Sequence, residues 1–149
     1  MHKPQDPDFE ARVRRSFGKQ SVMETIGARM TEVAPGETTI ALAVAPHICQ
    51  QHGFVHAGIV STIADSACGY AALSLMPAGA GVLTAEFKIN LLAPAAGERL
   101  EARGRVVRAG RMLTVAQAEV EAIDGERRKT VAVMTATLVT LEGREGIAD

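Results

Sequence analysis

The spacing of apolar positions changes period twice along this chain. Phe9, Val13 and Phe17 recur four residues apart, which places them on one face of a short helix. Asp6 stands where it can cap that helix, with Pro7 at the first helical position. The pattern then shortens from Ile26 to Val33 and again from Thr38 to Val44, where Ile40, Leu42 and Val44 alternate with Thr39, Ala41 and Ala43. Two strands joined by a Pro35-Gly36 turn are predicted, with Pro46 ending the second. From Gly58 to Met76 the only polar residues are Ser61, Thr62, Asp65, Ser66, Tyr70 and Ser74. A helix apolar on nearly all sides is a covered core helix. It stops around Met76-Pro77-Ala78-Gly79.

A period of two then holds almost to the end. Thr84, Glu86, Lys88 and Asn90 alternate with Ala85, Phe87, Ile89 and Leu91, which sets the first four against the second four. Leu100–Arg108, Met112–Ile123 and Lys129–Leu141 read as three more strands. Ala109-Gly110 marks a tight turn, and Asp124-Gly125 is a dipeptide that favours a type I′ hairpin. Residues 142–149 read as a loose tail. The order is helix, two strands, one long apolar helix, four strands. The expected fold is α+β, a curved antiparallel sheet wrapped around one long central helix. Residues 1–149 form a single domain in this reading, with 1–22 as N-terminal helix and lead-in. Such a sheet leaves edges that invite pairing, so a dimer is expected, through back-to-back helices or edge-to-edge sheets.

Composition narrows the function classes. A chain of 149 residues has room for a real core, and a net charge of -1 gives no electrostatic footprint for nucleic acid or an anionic membrane. The basic runs Arg12-Val13-Arg14-Arg15 and Arg127-Arg128-Lys129 read as solvated faces. No uninterrupted apolar run has transmembrane length, and the first residues lack the apolar core of a signal peptide. Two cysteines, Cys49 and Cys68, make no disulfide framework, and a cytoplasmic location is expected. His47, Cys49, His52 and His56 fall close together, but their spacing matches no common zinc pattern and no metal is expected.

Chemistry concentrates in Gln50-Gln51-His52-Gly53-Phe54-Val55-His56-Ala57-Gly58 and the helix that follows. An unpaired carboxylate in an apolar helix costs several kcal/mol, so Asp65 has either a structural partner or a task. The helix N-terminus offers N–H groups without intrahelical partners. Glutamine, two residues, glycine, two residues, histidine, and an aspartate eight residues after Ala57 form a recognisable pattern: Gln50, Gly53, His56, Asp65. With Gly81–Phe87 leading to Ala93-Pro94-Ala95, and the Arg108-Ala109-Gly110-Arg111 turn, the segment from about Ile26 to Leu141 resembles the PaaI-type acyl-CoA thioesterases of the hotdog fold.

That resemblance implies hydrolysis of acyl-CoA thioesters to acid and coenzyme A, in a homodimer or a homotetramer built from two dimers. No cofactor is implied, coenzyme A being part of the substrate. Asp65 becomes general base or nucleophile, and the backbone N–H at Ala57, where the family has glycine, polarises the carbonyl. Gln50 and His56 orient the carbonyl or hold the loop, and Thr84 helps place the attacking water. Along a helix, eight residues put the Ala57 N–H and Asp65 about 12 Å apart, too far for one carbonyl. Two antiparallel helices resolve this, each N-terminus meeting the middle of the other. Gly58, Ser61, Thr62, Gly69 and Ala72 share the Asp65 face and would admit a thioester or a partner helix. Arg108 and Arg111 suit coenzyme A phosphates, or form a solvated hairpin tip. A non-catalytic acyl-CoA-binding hotdog protein is the alternative, and a hotdog enoyl-CoA hydratase or dehydratase the more distant one.

Overall fold

The computed structural model describes residues 2–149. Two short helices, α1 (Phe9–Gly18) and α2 (Ser21–Ile26), precede strands β1 (Ala28–Ala34) and β2 (Glu37–Ala43). A 3₁₀ turn at Pro46–Ile48 leads through the loop to α3 (Ala57–Leu73), followed by β3 (Gly81–Leu91), β4 (Arg99–Ala109), β5 (Leu113–Asp124) and β6 (Arg127–Leu141). All six strands join one antiparallel sheet in the order β1-β2-β4-β5-β6-β3. The sheet curls around α3, whose Ile63, Ala64, Ala67, Cys68, Ala71 and Leu73 are fully buried. This is the hotdog arrangement expected from the sequence.

The sheet's inner face explains why α3 sits so deep. Ala102, Ala116, Ala118, Ala122, Ala132 and Ala136 point inward and leave little side chain between sheet and helix. At Gly104 even a methyl would not fit, because a Cβ there would lie 2.3 Å from the carbonyl carbon and oxygen of Ala67. The buried Thr38 hydroxyl donates to that same Ala67 oxygen at 2.8 Å. Sheet and helix backbone are therefore in direct contact two residues beyond Asp65.

Several local expectations are corrected. Residues 21–26 are helical, and Gly27, left-handed at φ 77°, turns the chain into β1. Asp6 does not cap a helix starting at Pro7: α1 starts at Phe9, and the Asp6 carboxylate accepts from the Asp8 N–H at 2.9 Å. Arg12 is not solvated but 3% exposed. Its guanidinium donates to the carbonyls of Leu73, Met76 and Pro77 at 3.1, 2.8 and 2.8 Å, and lies 3.0 Å from Asp6. It thus ties together the carbonyls of the turn where α3 ends, and removing one partner of such a buried ion pair typically costs about 3–5 kcal/mol. The β5–β6 turn is also different. Asp124 pairs with Arg127, so Gly125 and Glu126 are the central residues. Only Gly125 has positive φ, at 57°, which excludes type I′ and fits type II′. Residues 142–149 form no helix or strand, yet they fold back. Ile147 packs on Gly81, and Asp149 accepts from the Ser16 hydroxyl at 2.6 Å.

Candidate active site

The loop before α3 is tied down by its own backbone. Val55 donates to Ala95 at 2.9 Å, His56 to Ile48 at 3.0 Å and Gln50 to Phe54 at 2.8 Å, while Gly53 turns at φ 83°. The Gln50 side-chain oxygen accepts the His52 N–H, which turns the amide into the loop and leaves its NH₂ free to donate.

His56 is the N-cap of α3. Its Nδ1 accepts the Gly58 N–H at 2.9 Å, which places the neutral ring's proton on Nε2. Gly58 makes room for this, since a Cβ there would stand 3.1 Å from Nδ1. The next two N–H groups, of Ile59 and Val60, both go to the His56 carbonyl at 2.9 and 3.1 Å. Among the described residues, the Ala57 N–H alone is left without a partner at the helix start. Ala57 is the first residue of α3, and among the described residues no non-glycine residue has positive φ. Alanine therefore stands in for the family's glycine without strain.

Asp65 lies half-buried on α3. The Thr84 hydroxyl donates to its Oδ1 at 2.7 Å. Burial raises the carboxyl pKa above its ordinary value of 3.8, and the Thr84 hydrogen bond partly offsets this. Alternation groups Thr84 with Glu86, Lys88 and Asn90 and does not by itself say which face meets the helix. The structure breaks that grouping. The β3–β6 register shifts between Thr84 and Glu86, so Thr84 pairs with the buried Leu138 while Glu86 pairs with Thr137. One bulge turns Thr84 to the helix-facing side.

A partly exposed stripe of α3 runs through Gly58, Ser61, Thr62, Asp65, Ser66 and Gly69. Ala72 is buried and drops out of the stripe. The Ser61 and Thr62 hydroxyls are turned back onto the carbonyls of Ala57 and Gly58, both at 2.8 Å, which leaves the stripe small and nearly neutral. A cavity of about 750 Å³ runs along it beneath Val22 of α2 and Phe87 of β3. Gln50, His56 and Ala57 instead line a separate cavity of about 600 Å³ with Leu91–Ala95. One chain thus holds the expected residues in two groups, Gln50, His56 and Ala57 in one, Asp65 and Thr84 in the other. Arg108 and Arg111 join neither. Both are exposed around the β4–β5 turn, and Arg111 lines a small depression at the far end of α3 with Gln5 and Met76.

No local pattern along the chain signals the elements that flank Asp65. Gln20, whose side chain accepts from Ser66 at 3.4 Å, comes from the α1–α2 link, and the tail comes from the other end of the chain. Cys68, one turn from Asp65, is pushed up to about 12 by burial, with the Asp65 charge adding to it, and is no nucleophile at neutral pH. Among the described residues no cluster of three or more His, Cys, Asp or Glu is placed to hold a metal ion, and no helix is long and apolar enough to cross a membrane.

Comparison with known proteins places this chain in a family. The sequence model of the thioesterase superfamily matches residues 52–129. A Deinococcus radiodurans protein named "Putative esterase" is 31% identical over 119 residues, 79% of this chain and 77% of its own. The crystal structure of a thioesterase family protein from Silicibacter pomeroyi, 51% identical, superposes with a TM-score of 0.89 over 91% of this chain and 99% of that one. The E. coli PaaI protein, 21% identical, shares the fold at a TM-score of 0.82 over 93% and 97% of the two chains. Fold, sequence and relatives agree, and this chain belongs to the thioesterase superfamily, whose chemistry is thioester hydrolysis.

Proposed function

We propose that the protein hydrolyses acyl-CoA thioesters to a carboxylic acid and coenzyme A in a site shared by two subunits. The observation that carries this reading is the single unpartnered N–H at Ala57. His56 consumes the three N–H groups after it and leaves that one facing a cavity. A lone preorganised donor at the positive end of a helix suits the oxygen of a tetrahedral thioester intermediate. The free NH₂ of Gln50, in the same cavity, supplies a second donor. His56 in this scheme is a positioning residue.

The other half of the chemistry belongs to Asp65. It takes a proton from water while the water oxygen bonds to the carbonyl carbon, or it attacks that carbon itself. Thr84 holds Oδ1 and leaves Oδ2 for this task. Collapse of the intermediate breaks the carbon–sulfur bond, and the thiolate leaves and takes up the proton drawn from water to become coenzyme A; after attack by the carboxylate, water hydrolyses the acyl-Asp65 anhydride, which releases the acid and restores Asp65. The unbroken α3 keeps Ala57 and Asp65 of one chain about 12 Å apart, so each Asp65 works with Ala57 of the partner subunit. Support for the dimer comes from β3. It is an 11-residue edge strand with Leu83, Phe87 and Leu91 about half exposed, an unpaired ladder beside the groove that holds Asp65.

A thiol-reagent assay over an acyl-CoA panel tests the proposal. Asp65→Asn should lose at least a hundredfold in kcat with the fold intact. Unchanged thiol release in that variant would remove Asp65 from the mechanism. Single turnover in heavy-oxygen water separates the two roles, since label entering Asp65 itself marks carboxylate attack.

A further inference from the structure

On the side of Asp65 towards the C-terminal end of α3 lies a second cavity, of about 410 Å³. Its lining comes from four separate parts of the chain: Ser16 and Gln20 around the end of α1, Ser66, Gly69 and Tyr70 of α3, Val82 to Thr84 of β3, and the returning segment Gly146–Asp149. In the antiparallel pairing of the proposed function, the partner's helix starts opposite Asp65 and runs back along Gly58 to Thr62. The stripe on that side is covered by the partner. The cavity beyond Asp65 lies outside that stretch and is open to one arm of a substrate whose carbonyl sits at Asp65.

Size decides which arm. The volume falls toward the lower end of the roughly 300–1,000 Å³ of small-molecule sites, too little for pantetheine and nucleotide together. Chemistry then decides the kind of acyl group. Ser16 donates to Asp149 at 2.6 Å, so the 3.2 Å contact between Ser16 and Tyr70 has the Tyr70 hydroxyl as donor. The phenolic oxygen and the second Asp149 oxygen remain as acceptors. Gln20 has its oxygen engaged by Ser66 and offers its NH₂ as donor. A wall presenting acceptors and a donor beside two carboxylates, Asp65 and Asp149, suits a hydroxyl and repels an anion; the exposed Lys19 stands at the rim.

Resting on the composite-site reading above, we infer that this cavity is the acyl chamber, and that it selects a short acyl group carrying an uncharged hydrogen-bonding tip. Tyr70 lies five residues from Asp65, about 7.5 Å further along the axis, and its hydroxyl lies at the end of the chamber away from Asp65, so the small volume and this polar end together suit a short acyl group. The segment Gly146–Asp149 is the end wall and limits chain length.

Matched thioesters test this with the full-length protein: butanoyl, 4-hydroxybutanoyl, hexanoyl, 6-hydroxyhexanoyl, succinyl and dodecanoyl-CoA. The hydroxylated members should exceed their unsubstituted partners by about tenfold in kcat/KM, with dodecanoyl and succinyl lowest. Tyr70→Phe should erase most of the hydroxyl preference. Gly81→Ala should open the chamber, because its Cβ would lie 1.8 Å from the Ile147 carbonyl oxygen and displace the segment; dodecanoyl should then gain at least tenfold relative to butanoyl. A native preference for dodecanoyl or succinyl, or a profile that neither variant changes, overturns the chamber. Thiol release from some other member, abolished in Asp65→Asn, leaves the hydrolase reading standing. No release from any member sinks both.

Discussion

Replacing Ala57 by proline separates the backbone donor from everything else the residue does. Ala57 is the first residue of α3, the position where proline is best tolerated because the missing N–H has no helical partner. The residue before a proline must be extended, and His56 already is, at φ -59° and ψ 137°. The His56 contacts to Gly58, Ile59 and Val60 do not involve the Ala57 N–H, so the cap survives. Stability should therefore change by no more than about 1 kcal/mol, as for proline at compatible sites. Catalysis should not survive so well. Loss of one donor to an oxyanion costs about 3–4 kcal/mol, or about 10²–10³ in kcat. Ala57→Gly is the control, since it keeps the N–H and should keep most of the activity. Thermal unfolding and steady-state thiol release on the same samples give both numbers. An Ala57→Pro protein that folds normally and turns over within threefold of the native enzyme would refute the assignment of this N–H.

Two further outcomes follow from the helix and its carboxylate. Gly104→Ala places a Cβ about 1 Å inside the 3.4 Å of ordinary contact with Ala67, so α3 and β4 must separate. Overpacking of this kind costs about 1–3 kcal/mol, and a shift of 1 Å at Asp65 relative to Thr84 can cost about 10²-fold in rate, both readable from urea unfolding and kcat; a variant with native kcat would show that helix depth does not set the site. Asp65 also ties stability to pH. Its folded-state pKa lies above 3.8, so the folded chain holds the proton more firmly, and stability falls as pH rises through the folded value. Asp65→Asn should thus be more stable than the native protein at pH 7, with the difference narrowing on acidification towards 3.8, whereas a native protein more stable at pH 7 would mean that the carboxylate is stabilised by a partner.

What the amino-acid sequence determined by itself was set by local periodicity and spacing. The all-round apolar run made α3 a covered helix, and the alternation after Gly81 made four antiparallel strands. Eight residues at a fixed rise put Ala57 and Asp65 too far apart for one carbonyl, and that held because nothing in the segment breaks the helix. Tertiary structure decided the rest, wherever contacts between distant residues override the local pattern. Alternation alone did not say which face of β3 carries Thr84, and a single bulge in the pairing with β6 is what places its hydroxyl on Asp65. Arg12 looks like one of three solvated cations in a basic run, and only the end of α3, more than sixty residues later, gives it four carbonyls to hold. The same holds for Gly104, whose missing side chain matters only because Ala67 lies against it, and for the tail. Its place beside Asp65 depends on Ser16 and Gly81, and no period along the chain records a contact made across 133 residues.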